Sequence, residues 1–307
     1  MWLAAASLLV LLVPPRTGSG EPMPRGDSAP PRRWYNKTLG GRQFWCDVLW
    51  FHGWRIQQNA FTGHYRLLDP RNYRHASGTY PQCQSRLEEI KRQVQLPPLQ
   101  GTAVVLVHGF GRSSRSFKTM AEALRRRGYV VVPFDYSSTR QSVHDVARCL
   151  HRLLQSLEGV QRIHLVAHSL GGLVVRAYFQ HHRDPRLGRV VLLGVPNQGA
   201  ELARRFSDTH AFRMVFGPSG HQLAHEAKNL PVPPVPFGVL AGGRGDDKGY
   251  NPLIPGDDDG LVSVASTHLK GEADFLQVRC THGKLKRHRQ VIEAVECFLR
   301  SGRFRPE

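Results

Sequence analysis

From Gly101 onward, continuous β-branched runs alternate with segments of helical period, and that alternation confines the chain to few architectures. The run Thr102 to Val107 is followed by Phe117, Met120, Ala121 and Leu124 at helical spacing. Tyr129 to Phe134 leads to a helix at about 141–157, and Arg162 to Ala167 leads to one from about Leu170 to Gln180. Further strands read at Arg189 to Leu193, Pro236 to Ala241 and Asp274 to Cys280, before a last helix carrying Val291, Ile292, Val295, Phe298 and Leu299. Strands that are apolar along their whole length are buried on both sides. The pattern therefore predicts an α/β fold, a mostly parallel central sheet with helices on both faces. Arg125-Arg126-Arg127 before Gly128 reads as the end of a helix, with cations on the negative pole of the dipole and glycine at C′.

The 307 residues allow one large domain or two modest ones. Trp2 to Val13 is an apolar run matching a signal-peptide core and too short to span a bilayer, so residues 1–20 read as a signal peptide and the chain as exported, or as membrane-anchored if the signal stays uncleaved. Residues 21–97 read as a leader and an N-terminal arm of unknown role, and 98–302 as the catalytic domain. Within the arm, 41–82 has strand-like stretches with Trp45, Trp50 and Trp54, expected to pack on the main domain. Ser85 and Glu88 have the spacing of a capping box, which predicts a helix from there to Pro97. In an exported chain the five cysteines suggest disulfides, with Cys46–Cys83 the preferred pair and Cys280–Cys297 a second; Cys149, beside an apolar helix face, reads as a buried thiol. Asn36-Lys37-Thr38 is a glycosylation sequon.

The chemistry starts at Ala167-His168-Ser169-Leu170-Gly171, between a buried strand and a helix. Small residues two positions either side of a serine allow a strained strand-to-helix turn that lifts the hydroxyl out of the sheet, and the helix N-terminus beside it favours a developing oxyanion. Serine is a weak nucleophile at its own pKa and needs a base and an orienting acid, here later in the chain. His282, directly after the last strand, is the expected base, with His268 and His288 as rivals. The acid is expected between the last two strands, in Asp257-Asp258-Asp259-Gly260; Asp259 is preferred, with Asp258, Asp246 and Asp247 as alternatives. The same oxygens would also suit a calcium ion. Val107-His108-Gly109-Phe110 ends the first strand of the alternation, where the Phe110 N–H would face the Leu170 N–H as the second oxyanion donor.

Residues 101–300 resemble the lipase and serine-esterase branch of the α/β-hydrolase superfamily. The matching pieces are V-L-V-H-G-F at 105–110, V-A-H-S-L-G-G at 166–172, G-V-P-N-Q-G at 194–199, D-D-G-L-V-S-V at 258–264 and T-H-G at 281–283. The third and fourth are similar to stretches of bacterial triacylglycerol lipases. The resemblance implies an α/β-hydrolase fold with Ser169 as nucleophile, Asp259 as acid, His282 as base, and Phe110 and Leu170 as oxyanion donors. It implies cleavage of hydrophobic acyl esters through an acyl-enzyme, with no cofactor. Ala167 departs from the pattern, which has glycine there, and 21–97 has no counterpart in it.

Between Gly199 and Pro233, Leu202, Ala203, Phe206, Phe212, Met214, Val215 and Phe216 among charged residues read as a cap or lid, or as a satellite helix pair. The net charge of +18 comes from 34 Arg and 8 Lys against 24 Asp and Glu. No nucleic-acid-binding motif accompanies it, so nucleic acid is not an expected partner. Lys284, Lys286, Arg287 and Arg289 instead suggest peripheral contact with an anionic lipid surface on the His282 side. The competing readings are an acyltransferase or thioesterase on the same three residues, and a non-catalytic binding protein with a hydrolase fold.

Overall fold

In the computed structural model, which describes residues 38, 43–199 and 226–306, the chain opens with an antiparallel meander. Its strands are β1 (Trp45–Phe51), β2 (Trp54–Asn59), β3 (Tyr65–Leu68) and β4 (Arg74–Gly78), paired in that order. The two-residue turn between β1 and β2 uses His52 and Gly53, both at positive φ (47° and 86°), the backbone that joins twisted antiparallel strands. Helix α1 (Tyr80–Val94) follows, buries Cys83, Leu87 and Ile90, and ends at Gln95 in the left-handed region. It starts earlier than Ser85: the working capping box is Thr79 with Gln82, and Ser85 and Glu88 lie inside the helix. Pro81 fits in the first turn, where its missing N–H has no partner to lose.

The alternating part forms β5 (Gly101–Val107), α2 (Lys118–Arg126), β6 (Val130–Phe134), α3 (Val143–Gln155), β7 (Val160–His168), α4 (Leu170–His181), β8 (Leu187–Leu193), β9 (Phe237–Gly243), α5 (Val264–Thr267), β10 (Asp274–Arg279) and α6 (Arg289–Ser301). Six strands make one sheet in the order β10-β9-β8-β7-β5-β6, parallel at every pairing. The period of two divides the strand residues between two cores. Val105, Val107, Leu165, Ala167 and Leu192 face α3, α4 and the N-terminal meander, while Val104, Leu106, Val166, Val191 and Leu193 face α2 and α6. Trp50, Phe51, Ile56 and Leu67 of the meander join the first of these cores. Gly128 caps α2 at φ 85°, with Gly128 N–H donating to Arg125 O and Tyr129 N–H to Leu124 O.

All five cysteines are buried free thiols, so neither expected disulfide is present. The Cys46 thiol on β1 meets that of Cys149 on α3 rather than Cys83, and burial pushes it well above the usual range. The pairing could not be read from spacing, because β1 packs on a helix about 100 residues away in sequence. The expected signal peptide, most of the leader, the sequon residue Asn36 and residues 200–225 of the expected lid lie outside the described residues. Among the described residues, no helix is long and apolar enough to cross a membrane.

Candidate active site

The order in which the chain adds strands to the sheet reverses at β5 and β7, parallel neighbours whose following helices cover opposite faces, and such a switch point opens a crevice at the C-terminal ends of the strands. Val107 pairs with Ala167 there, so the segment after β5 and the turn after β7 emerge side by side. Ser169 is that turn. Its backbone stands at φ 55° and ψ −126°, strained for a residue with a side chain, and α4 starts at the next residue. Its N–H donates to Leu193 O at 2.9 Å, which ties the turn to β8.

Glycines around the turn are required by contact distance. A Cβ at Gly171 would lie 2.4 Å from Val107 O and 2.6 Å from His108 O, and one at Gly172 would lie 2.2 Å from a Val195 methyl. A Cβ at Gly109 would come within 3.0 Å of both the Ser169 Cβ and His168 Nδ1. Ala167, in place of the usual glycine, is fully buried in the sheet and fits. Leu170 is the first residue of α4 and is buried; Phe110 is half-buried against the same core, three residues past the end of β5.

His282 sits in a short 3₁₀ turn after β10, and Asp259 in the loop between β9 and α5. The two side chains meet with His282 Nδ1 at 2.7 Å from Asp259 Oδ2. Asp259 is 1% exposed, and its other oxygen accepts the N–H groups of Leu261 (3.0 Å) and Val262 (2.9 Å), so the carboxylate cannot rotate away. The His282 N–H also donates to Asp259 O at 2.8 Å, locking the two loops together. The end of β8 leaves room for this pair only as Gly194, where a Cβ would stand 3.2 Å from both Asp259 Oδ2 and His282 Nδ1.

The remaining candidates lie elsewhere. Asp257 accepts the N–H groups of Arg244 and Gly245, Asp258 those of Asn251 and Gly260, and Asp246 pairs with Arg244. Each carboxylate is thus taken up by nearby backbone N–H groups or an arginine, and among the described residues no group of three or more metal-ligating side chains could hold an ion. His268 pairs with Glu272, and His288 stands at the N-cap position of α6 without a side-chain cap bond.

Sequence reasoning missed His168 and misjudged Lys286. The His168 ring lies 4.5 Å from that of His282, and its Nε2 donates to the His282 carbonyl at 3.0 Å. Its Nδ1 then faces Lys286 Nζ at 3.4 Å. Burial, with the neighbouring His282 and Lys286, holds His168 well below the usual histidine range, so it is neutral. Lys286 is buried rather than on a solvent face; burial first, then Arg112 and Arg287, lowers its ammonium to about 8. Lys284 and Arg287 are exposed. His168 carried a legible signal, since it lies between an apolar strand and the serine and cannot reach water.

A family model described as the α/β hydrolase fold matches residues 102–214. Among solved structures, the lipase BlEst2 of Bacillus licheniformis in its mature form is 18% identical, over 66% of this chain and 91% of that one, with a TM-score of 0.50. Its propeptide form is 20% identical over 67% of this chain at a TM-score of 0.52, and there the match spans 51% of the relative. A metagenomic carboxyl esterase, MGS0156, is 21% identical over 60% of this chain and 67% of its own, with a TM-score of 0.49. Comparison with curated proteins gives no match. Strand order, the strained serine turn and the matched segment agree: the chain has the α/β-hydrolase fold.

Proposed function

We propose that the chain is an exported serine hydrolase that cleaves hydrophobic carboxylic esters through an acyl-enzyme. The observation that carries this reading is the strained Ser169 turn, tied to Leu193 O, together with the buried His282–Asp259 pair of 2.7 Å that packs on the next residue, Gly194. With Nδ1–H donated to Asp259, Nε2 of His282 is left as the acceptor that a general base needs. Ser169 Oγ attacks the ester carbonyl as His282 takes its proton, and Asp259 stabilises the imidazolium that forms. The N–H groups of Leu170, at the positive end of α4, and of Phe110 receive the oxyanion. Collapse expels the alcohol, which takes the proton from His282, and water repeats the sequence to release the acid.

Ester hydrolysis in general is supported by the fold and by the similarity to a lipase; the hydrophobic acyl group follows from the resemblance of the motifs. Export rests on the Trp2 to Val13 run, and contact with an anionic lipid surface on the exposed Lys284 and Arg287 near His282. The test is hydrolysis of acyl esters graded from short to long chain by the protein and its Ser169→Ala variant. The reading expects turnover that the variant loses by at least about a thousandfold. Turnover that survives in the variant would overturn it, and activity toward thioesters or acyl acceptors alone would move the substrate class while keeping the three residues.

A further inference from the structure

We propose that the N-terminal meander is part of the catalytic apparatus: through Asp47 on β1, and Gln43 just before it, the loop after β6 is fixed, and that loop fixes the 108–114 segment carrying Phe110. The inference rests on the reading of the Phe110 N–H as an oxyanion donor, and it assigns a role to residues that the fold alone does not require.

The 108–114 segment leaves the end of β5 and satisfies its polar groups through neighbours. His108 O accepts the Tyr136 hydroxyl. Gly111 N–H donates to Ser138 Oγ at 3.0 Å, and Arg112 O accepts Gln43 Nε2 at 3.2 Å. Ser114 donates twice to Asp135, from its N–H at 2.7 Å and its hydroxyl at 2.9 Å. Most of these partners come from residues 135–138, just past β6. β6 is an edge strand of the sheet, so the loop after it is open on one side unless something covers it.

The meander supplies that cover. Asp47 on β1 donates its N–H to Asp135 O at 2.9 Å, and its carboxylate accepts the Asp135 N–H at 2.8 Å. Arg55 on β2 reaches Asp135 Oδ2 at 3.1 Å. Asp47 is itself anchored, accepting Gln57 Nε2 at 2.7 Å, while Gln57 Oε1 accepts two donors of Arg66 on β3 at 3.0 and 2.7 Å. Gln43 joins both loops at once. Its carbonyl accepts Ser137 Oγ at 2.6 Å, its Oε1 accepts Thr139 Oγ1 at 2.9 Å, and its Nε2 makes the bond to Arg112 O. A chain of hydrogen bonds therefore runs from three strands of the meander to the backbone on either side of Gly109 and Phe110. Gln43 and Ser138 are positioning residues in this account.

Donors aimed at an oxyanion act in the transition state far more than in the ground state, so loosening them lowers kcat and leaves KM. The experiment uses the full chain with Gln43→Ala and, separately, Ser138→Ala. Hydrogen exchange of residues 108–114, kcat and KM on one acyl ester, affinity for an alkyl boronic acid as a tetrahedral analogue, and the melting temperature are measured together. Exchange at Gly109 to Arg112 is expected to rise at least tenfold in both variants, with kcat about 10- to 100-fold lower, KM within about twofold, and boronic acid affinity falling with kcat. Unchanged exchange and kcat would overturn the proposal, as would a kcat loss that only follows a fall in melting temperature. If the wild type shows no Ser169-dependent turnover, the functional reading itself fails, a result distinct from wild-type turnover that Gln43→Ala leaves untouched.

Discussion

A lysine buried beside a neutral histidine is costly, and Lys286 makes no ion pair among the described residues; its polar neighbour is the His168 ring at 3.4 Å. Its ammonium titrates near 8 in the fold against 10.5 in the open chain. Below pH 8 the native state must hold a proton it binds weakly, a cost of about 3 kcal/mol that fades as pH rises toward 10.5. Lys286→Met should therefore be more stable than wild type at pH 7, with the gap in urea midpoint closing by pH 10; a gap independent of pH would contradict this. Asp259→Asn tests the other buried neighbour of the site. An amide would present a donor to His282 Nδ1 and favour the wrong tautomer, so kcat on an acyl ester should fall about 10³- to 10⁴-fold with little change in melting temperature. At this scale the sequence was informative where chain order restricts the choice. Asp259 stands before Gly260 in the loop that the order of residues demands, and it is the aspartate hydrogen-bonded to His282. Lys286 was not legible, because its neighbours Lys284 and Arg287 are exposed and only the turn at 282–284 rotates it inward.

The strands and helices expected from Gly101 onward lie within about two residues of where apolar runs and helical spacing put them, since both periodicities are set by burial on a two-sided sheet; the short α5 carried no such signal. The N-terminal meander is another matter. Its strands are short, two of its pairings shift register, and the turn at His52-Gly53 lacks the asparagine or aspartate that usually announces such a hairpin. The capping-box spacing at Ser85 and Glu88 also occurs by chance within a helix, and the box that works is closed by Gln82, not by an acid. Close packing between elements gives a direct test. A Cβ at Gly242 on β9 would meet Cys280 O at 2.7 Å and the Asp259 Cβ at 2.9 Å, both fixed groups. Gly242→Ala should push the Asp259 and His282 loops apart, costing about 1–3 kcal/mol of stability and at least tenfold in kcat. Wild-type kinetics in that variant would mean that the loops have slack this packing denies.

For the molecule as a whole, part of the arginine excess is structural. Arg176, buried in α4, holds Asn197 O, Asn197 Oδ1 and Pro231 O, and so ties both flanks of the 200–225 segment to the core. Arg186 holds Leu154 O and Leu157 O, and Arg189 holds Leu299 O, uses that no charge count reveals. Stability should fall in acid for an identifiable reason. His164 is buried in β7 with Nδ1 accepting the Arg189 N–H at 2.8 Å, and burial lowers its pKa from 6.5 to about 4. The native state keeps it neutral while the unfolded chain takes up a proton, so up to about 3 kcal/mol is lost as pH falls from 6.5 to 4. His164→Asn keeps an acceptor without a titration and should flatten that part of the pH profile; an unchanged profile would assign the loss to other groups. An activated nucleophile at the strained Ser169 should react with an alkyl fluorophosphonate, and labelling of the full chain, located by peptide mass spectrometry, reads this out. A single modified serine, Ser169, is expected, with labelling lost in His282→Ala. A folded wild-type protein that stays unlabelled, or labelling that persists without His282, would contradict it.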